Sequence, residues 1–227
     1  MTRPICAVVP IKETAQAKQR LTGIRSQAER RALALAMAED VLTTLALVRE
    51  IAGILVVTAD PAAVELARRY GAQVSAERAR EGHTVAVTAA ARRLAAEDID
   101  MLALPGDIPL VEPGDIRRLL AAHRPSPAFT IVPARDELGS NAVLCSPADM
   151  VPLRFGENSF FPHLAAARAH GIEPTVIHLP RIALDIDTPD DLARFLAVPS
   201  HTRTRALLDQ RSVRANGATA EFEKTSA

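Results

Sequence analysis

Short apolar runs alternate along the chain with longer segments in which apolar residues recur at helical spacing. Apolar runs bounded by turn residues predict buried strands, and longer periodic segments that begin at a capping residue predict helices. The predicted strands are 5–9, 54–58, 73–76, 101–104, 129–132, 142–145, 175–179 and 182–186. The predicted helices are 27–48, 61–70, 84–96, 113–123, 158–170 and 189–196.

This alternation predicts an α/β fold with a mostly parallel central sheet flanked by helices, since parallel strands need helical crossovers. The strands 129–132 and 142–145 are separated by a turn segment and predict a small antiparallel insertion. After residue 197 the charges are scattered and apolar periodicity is weak. We therefore predict one domain over 1–197 and a polar, disordered tail over 198–227, in which a short helix near 206–208 is left open.

Composition narrows the function classes. The chain has 227 residues, with 27 Lys plus Arg against 27 Asp plus Glu, six Phe, one Tyr and no Trp. A neutral chain with so few aromatic residues is not typical of a nucleic-acid binder. Its two cysteines, Cys6 and Cys145, lie in or next to apolar runs and are predicted to be core residues rather than metal ligands. No signal peptide or membrane-spanning stretch is apparent, so we expect a cytoplasmic protein.

Two acidic segments carry the first candidate site. Asp107 follows the strand 101–104, and Asp185 and Asp187 come at the end of the predicted strand 182–186. Ligands of open α/β sheets bind at the carboxyl ends of strands. Carboxylates ~4 Å apart repel by about 4 kcal/mol at an effective dielectric of 20, and Mg²⁺ turns that repulsion into ligation while joining carboxylates to substrate phosphates. These residues predict a metal-dependent enzyme acting on phosphates.

Other interpretations of these aspartates stay open. Asp107 lies beside Gly106 and Pro109, where a turn aspartate commonly caps local N–H groups. Asp187 precedes a predicted helix and is placed to help cap it. Asp185 is harder to explain structurally, because it interrupts an apolar run in which an unpaired charge would be costly.

A cationic loop follows the first strand and carries Lys12, Lys18 and Arg20. Such a loop can bind phosphates through backbone N–H groups and cationic side chains. A solvated basic loop is the alternative. The chain has neither the Walker A pattern nor a G-x-G-x-x-G after the strand, which argues against a P-loop nucleotidase and a dinucleotide dehydrogenase.

A third group of candidate binding residues lies in the segments 139–141 and 154–160. Free N–H groups at the start of the predicted helix 158–170 would suit a carboxylate or phosphate. Asn158 or Ser159 could equally be an ordinary N-cap, and Arg154 could pair with a surface carboxylate. The six histidines show no metal-ligand spacing and are predicted to be surface or packing residues, and no nucleophilic triad stands out.

Five segments in this order resemble a known family. They are VPIK with AKQRL (9–12 and 17–21), LPGDIPL (104–110), SNA (140–142), RFGxNSF (154–160) and LDIDTPxDL (184–192). Over roughly residues 4–197 the chain resembles the phosphoenolpyruvate, 2-phospho-L-lactate and 3-phospho-D-glycerate guanylyltransferases of coenzyme F-420 biosynthesis. The resemblance implies a nucleotidyltransferase fold of the glycosyltransferase-A type.

The resemblance also implies a reaction and roles for residues. The phosphate of a three-carbon acid would attack the α-phosphorus of GTP, and pyrophosphate would leave. Asp107, Asp185 and Asp187 match metal ligands, for two Mg²⁺ ions. The residues matched to the acid are Asn141, Arg154, Gly156 and Ser159; those matched to the nucleotide are Lys12, Lys18, Arg20, Gly82 and Thr84, with Asp107, Lys12 and Lys18 as the catalytic set.

The sequence departs from the family in one place and leaves several alternatives. Where the family often has Gly-Leu-Asn, this chain has Gly82-His83-Thr84, so recognition of the base or ribose is expected to differ in detail. The acceptor acid is not fixed. A homodimer and a downstream transferase as functional partner are implied by resemblance alone. The competing hypotheses are another nucleotidyltransferase of this fold, directed to CTP or molybdopterin, and a nucleotide-binding regulator without catalysis.

Overall fold

The computed structural model describes residues 3–14, 18–21, 26–156 and 158–210. The strands are β1 (Ile5–Pro10), β2 (Gly53–Val57), β3 (Gln73–Ser75), β4 (Asp100–Ala103), β5 (Ala128–Pro133), β6 (Ser140–Ser146) and β7 (Thr175–Val176). The helices are α1 (Gln27–Ala46), α2 (Pro61–Arg69), α3 (His83–Ala96), α4 (Pro113–Ala122), α5 (Phe160–Ala169), α6 (Pro180–Ala183), α7 (Pro189–Ala197) and α8 (203–210). A 3₁₀ turn spans Gln19–Leu21.

The seven strands form one sheet in the order β3-β2-β1-β4-β6-β5-β7. Strands β1 to β4 pair in parallel, β6 is antiparallel to both β4 and β5, and β7 is parallel to β5. The mostly parallel α/β fold is confirmed. The predicted antiparallel pair is also present, and the β5–β6 hairpin places β6 inside the sheet, between β4 and β5.

Local capping signals explain where several helices begin. Ser26 and Glu29 form a capping box at α1, Asp60 accepts hydrogen bonds from two N–H groups in the first turn of α2, and Thr188 forms a capping box with Asp191 at α7. Each satisfies N–H groups that have no partner within the helix. Proline at the first position of α2 and α7 fixes the backbone angle for the helix.

The alternating side chains of β1 show how the helices cover the sheet. Ala7 and Val9 belong to a core cluster shared with α1, α2 and α4. Cys6 and Val8 belong to a second cluster, shared with α3 and α5, which also contains Cys145. Both cysteines are therefore core residues, as predicted. The helices cover both faces of the sheet and leave its carboxyl edge open for the loops that carry the polar residues.

Three boundaries near the C-terminus differ from the prediction. The segment 182–186 is not a strand: α6 covers Pro180–Ala183, because proline at the first helical position starts a helix there, and the chain then continues without regular structure. The strand predicted over 175–179 shortens to Thr175–Val176. Helix α5 begins at Phe160 rather than at residue 158, because Asn158 has a positive φ of 56° that no helical residue adopts.

The predicted domain boundary at residue 197 is wrong for the part of the tail that the structure describes. Residues 203–210 form α8, Thr204 is fully buried, and Leu208 packs in a third core cluster with residues of α1 and α7. The Asp40 carboxylate of α1 accepts hydrogen bonds from Arg203 N, Thr204 N and Thr204 Oγ1. Residues 211–227 of the predicted tail lie outside the described residues. No helix in the described ranges is long and apolar enough to cross a bilayer.

Candidate active site

Three adjoining cavities form one cleft at the carboxyl edge of the sheet. We call them the lysine cavity (about 530 Å³), the apolar cavity (about 340 Å³) and the serine cavity (about 640 Å³). Lys12 and His83 line all three, and Asp107, Asp187 and Arg20 line both the lysine and the serine cavity. The cleft lies where ligands of open α/β sheets bind. It brings together candidate residues that follow β1, β4, β6 and α6, together with Asn141 in β6.

Lys18 joins the two acidic segments. Its ammonium Nζ lies 2.6 Å from Asp107 Oδ2 and 2.7 Å from Asp187 Oδ1, with a side chain only 7% exposed. Burial lowers the pKa of Lys18, but the two carboxylates raise it by more, so Lys18 stays protonated. Burial raises the pKa of Asp187, but Lys18 lowers it by more, so this carboxyl titrates below its ordinary range. The three side chains form a charge-assisted hydrogen-bonded group.

Asp185 is hydrogen-bonded to Asn141. The Asn141 Nδ2 donates to Asp185 Oδ1 and to the carbonyl of Ile182, both at 3.0 Å. Burial, together with the nearby charge of Asp107, raises the pKa of Asp185 to about 6. The segment that carries Asp185 and Asp187 is not a strand, and Ile186 N between them donates to the carbonyl of Asp107 at 3.1 Å.

The capping explanation for Asp187 is excluded, because Thr188 is the N-cap of α7 and its partner is Asp191. A metal site made by protein groups alone is not assembled either: within the described ranges, no three acidic, histidine or cysteine side chains are grouped to hold an ion. The donor set nevertheless fits a hard cation. Asp107 Oδ1 is buried without a hydrogen-bond partner, and one or two carboxylates completed by substrate phosphates are what Mg²⁺ usually takes.

The cationic loop is fixed to the sheet at Thr14. Both Thr14 N and Thr14 Oγ1 donate to Asp60 Oδ2, at 2.8 and 2.6 Å, while the other oxygen of Asp60 caps α2. Lys12 and Arg20 are exposed at the cleft, whereas the ammonium of Lys18 is committed to the aspartates. The three cations, which the sequence analysis grouped together, therefore differ in their exposure to solvent.

The serine cavity collects small and amide side chains. Gly139, Ser140, Asn141, Gly156, Asn158 and Ser159 all line it. Gly156 and Asn158 have positive φ angles of 126° and 56°, and Ser159 is the N-cap of α5 without a side-chain capping bond. Ser159 Oγ instead donates to Ser140 Oγ at 3.2 Å. The predicted Arg154 is not among the residues that line the cavity, and its side chain is exposed.

Two histidines next to this cavity were missed by the sequence analysis as site residues. His163 is fully buried; its Nε2 accepts from Arg154 N at 2.9 Å, so its Nδ1 carries the proton and donates to Ser140 Oγ at 2.9 Å. Burial lowers the pKa of His163 to about 4. The signal available in the sequence was a histidine among Phe160, Leu164 and Ala167, on the buried face of α5.

His83 and Thr84 begin α3 after Gly82, whose φ is 106°. Burial, reinforced by the charge of Lys12, lowers the pKa of His83 to about 4, so its ring is neutral. Gly82 lines the apolar cavity. Thr84 does not line the three cavities; its hydroxyl donates to the carbonyl of Phe155 at 3.0 Å and accepts from Phe155 N at 2.9 Å. Thr84 therefore fixes the backbone of the segment 154–156.

The fold is that of the nucleotidyltransferases. It is similar to a solved structure from Desulfovibrio desulfuricans G20 that is assigned to the nucleotide-diphospho-sugar transferases, with a TM-score of 0.74, 19% sequence identity, and coverage of 93% of this chain and 96% of that one. At that identity the similarity concerns the fold.

The family follows from the sequence comparisons. The model of the family described as "Guanylyl transferase CofC like" matches residues 5–227. A phosphoenolpyruvate guanylyltransferase of Conexibacter woesei is 37% identical, covering 90% of this chain and 95% of its own length. A 3-phospho-D-glycerate guanylyltransferase of Colwellia psychrerythraea is 38% identical (88% and 94%), and a 2-phospho-L-lactate guanylyltransferase of Methanothermobacter thermautotrophicus is 32% identical (89% of each). The chain belongs to the CofC-like guanylyl transferase family and is a nucleotidyltransferase.

Proposed function

We propose that this chain joins GTP to a three-carbon phospho-acid, releasing pyrophosphate and forming a guanosine diphosphate-linked acid, in the biosynthesis of coenzyme F-420. The observation that carries the proposal is the single cleft in which Asp107, Asp187 and three cations adjoin a cavity of small and amide residues. One part suits a polyphosphate and the other suits a small carboxylate. The names of the relatives support both substrates.

The reaction requires positioning and charge neutralisation more than covalent chemistry. A phosphate oxygen of the acid attacks the α-phosphorus of GTP, the bond between the α- and β-phosphates breaks, and its electrons leave with pyrophosphate. Because the attacking oxygen is already anionic, no general base is needed. Lys12 and Arg20, which are exposed at the cleft, are placed to bind the triphosphate, and Lys18 keeps the aspartates ionised and close together.

Mg²⁺ would be held by Asp107 and Asp187, with Asp185 as a further ligand, and when bound it supplies positive charge that stabilises the leaving pyrophosphate. The buried, unpartnered Asp107 Oδ1 supports this assignment. Asn141 then has the task of orienting Asp185, since its amide nitrogen is already bonded to that carboxylate. We propose two ions, with substrate phosphates completing their ligands.

The acid is proposed to bind in the serine cavity. We place the carboxylate against the N–H groups around Gly156. The start of α5 offers few further donors, because Phe160 N already donates to the carbonyl of Leu138 and Pro162 has no N–H. The acceptor is phosphoenolpyruvate, 3-phospho-D-glycerate or 2-phospho-L-lactate, the three acids for which the relatives are named. Phosphoenolpyruvate and 2-phospho-L-lactate both carry the phosphate on C2 and differ in the C2–C3 double bond. 3-Phospho-D-glycerate carries the phosphate on C3 and a free hydroxyl on C2, so contacts near C2 and C3 would distinguish the three acids.

Pyrophosphate release tests the proposal. The full chain is incubated with Mg²⁺, one of GTP, ATP, CTP or UTP, and one of the three acids, and the nucleotide product is identified by mass. We expect release only with GTP and one preferred acid. Release with CTP instead would indicate another nucleotidyltransferase reaction on this fold, and saturable GTP binding without release from any acid would favour a regulator. A cytoplasmic location, a homodimer and a downstream transferase that takes up the product belong to this proposal as well.

A further inference from the structure

His83 lines both halves of the cleft. It is the first residue of α3, and it lines the lysine, apolar and serine cavities. The apolar cavity adds Val57, Ala59 and Ala86, which suit the face of a nucleobase, and the serine cavity is the half assigned to the acid. The ring of His83 therefore borders both the cavity proposed for the nucleotide and the cavity proposed for the acid.

The ring of His83 stacks on Phe155 in the acid-binding segment. Their centroids are 4.6 Å apart and the ring planes differ by 22°. The edge of Phe155 in turn meets His163, with centroids 5.1 Å apart and an angle of 67°. Stacked and edge-to-face pairs at such distances attract each other beyond the effect of the area that they bury. The rings of His83, Phe155 and His163 therefore form a continuous series of contacts from the apolar cavity to the buried face of α5.

Hydrogen bonds hold the same segment from both sides. Thr84 Oγ1 bonds to both the N–H and the carbonyl of Phe155, and His163 Nε2 accepts from the N–H of Arg154. The N-terminus of α3 and the segment 154–156 consequently move together. A ligand that orders one of them also orders the other, which lowers the entropic cost of binding the second ligand.

We propose that His83 and Phe155 form a positioning pair that couples the two halves of the cleft, so that binding of the acid tightens binding of the nucleotide and the reverse. This inference rests on the proposed function, because it needs two substrates in one cleft. It also gives the departure at Gly82-His83-Thr84 a role: the aromatic ring and the hydroxyl both act on Phe155. Coupling of this kind is reciprocal by thermodynamic necessity.

Calorimetric titration tests the pair in the full chain. The probe is the α,β-methylene analogue of GTP with Mg²⁺, which does not allow the α–β bond to break, titrated with and without each of the three phospho-acids at saturation. For the wild type we expect one acid to lower the Kd of the analogue by about fivefold or more, within the usual range of coupling between sites. In His83→Ala and Phe155→Ala this factor should fall to near one, and the double variant should show no further loss, as expected for residues in contact.

Matched variants separate coupling from general damage. His83→Phe keeps a stacking ring and should retain the coupling, whereas His83→Gln keeps polarity without a ring and should lose it. His178→Ala removes a histidine that is 65% exposed and lies outside the three cavities, and it should behave as wild type. The Phe and Gln variants keep the test decisive if the alanine variants fold poorly.

Two outcomes would overturn the inference and leave the proposed function intact: analogue and acid bind the wild type independently, or His83→Gln keeps the wild-type coupling factor. If the wild type binds neither the analogue nor any of the acids, the proposed function fails together with the inference.

Discussion

Lys18 Nζ lies 2.6 Å from Asp107 Oδ2, although 89 residues separate them in the chain. The contact joins the loop after β1 to the loop after β4, and Asp187 completes it from the segment after α6. An internal ammonium therefore neutralises the carboxylates that are proposed to hold Mg²⁺. The relationship makes Lys18 a counter-ion of the site as well as a member of the cationic loop.

Replacing this ammonium should destabilise the site. Lys18→Met keeps the length of the side chain but leaves Asp107 and Asp187 facing each other without a cation. We expect the free energy of unfolding in EDTA to fall by about 1–3 kcal/mol, less than for a fully buried pair because the Asp187 side chain is 47% exposed. Urea unfolding measures this free energy. Added Mg²⁺ should raise it more in the variant than in the wild type. Arg92→Met, on the exposed face of α3, is the control, and equal stability of Lys18→Met and this control would contradict the prediction.

Asp107→Asn should remove turnover without unfolding the chain. The amide keeps the shape of the side chain but supplies one neutral oxygen in place of a carboxylate. A loss of roughly 3 kcal/mol or more of transition-state stabilisation corresponds to at least about a hundredfold in kcat/KM. Pyrophosphate release and circular dichroism check activity and fold in parallel, with the exposed Asp149→Asn as the matched control. Near-normal turnover in Asp107→Asn would rule out Asp107 as the main carboxylate of the site.

His163 should make stability depend on pH in a defined window. Its pKa is about 4 in the folded chain and 6.5 ordinarily, so between these values the unfolded chain binds more protons than the folded one. Stability therefore falls as the pH decreases from 6.5 to 4, by at most about 3 kcal/mol from this residue. His163→Gln should flatten the curve of unfolding free energy against pH by up to that amount. An unchanged slope in His163→Gln would show that burial does not hold the imidazole neutral.

The contact between α1 and α8 should contribute measurably to stability. Thr204→Val removes a 2.6 Å hydrogen bond to the Asp40 carboxylate, which also accepts two backbone N–H groups of α8. A bond to a charged group in a buried position predicts a loss of about 1–3 kcal/mol, read from chemical unfolding. Thr43→Val, on the exposed side of α1, should cost less. If both variants unfold at the same denaturant concentration, the contact at Asp40 does not hold α8 in place.

Local signals in the sequence were sufficient for much of the fold. Capping pairs such as Ser26 with Glu29 act over one turn, so they can be recognised without knowing the tertiary structure. The position of Asp107 after a buried strand was equally readable, because the carboxyl end of a parallel strand is where ligands bind. These signals predicted an α/β fold with a candidate site at the carboxyl ends of the strands, whereas the nucleotidyltransferase fold was predicted from the family resemblance.

What the sequence analysis missed depends on distant contacts. The apolar run at 182–186 fits a strand or a helix equally well, and Pro180 at the first helical position decides for α6. Helix α8 has few apolar residues, and its anchor is Asp40, 164 residues away from Thr204. His163 and His83 have no spacing that marks a site; only the fold brings them to Phe155.

The most direct test of the central claim follows the position of a label in GTP. The full chain is incubated with Mg²⁺, the preferred acid, and GTP labelled with ³²P on either the α- or the γ-phosphate, and the products are separated by chromatography. Attack on the α-phosphorus predicts that the α-label appears in the acid-linked nucleotide and the γ-label in pyrophosphate. Transfer of the γ-label to the acid, or release of the γ-label as inorganic phosphate without a nucleotide–acid product, would contradict guanylyl transfer.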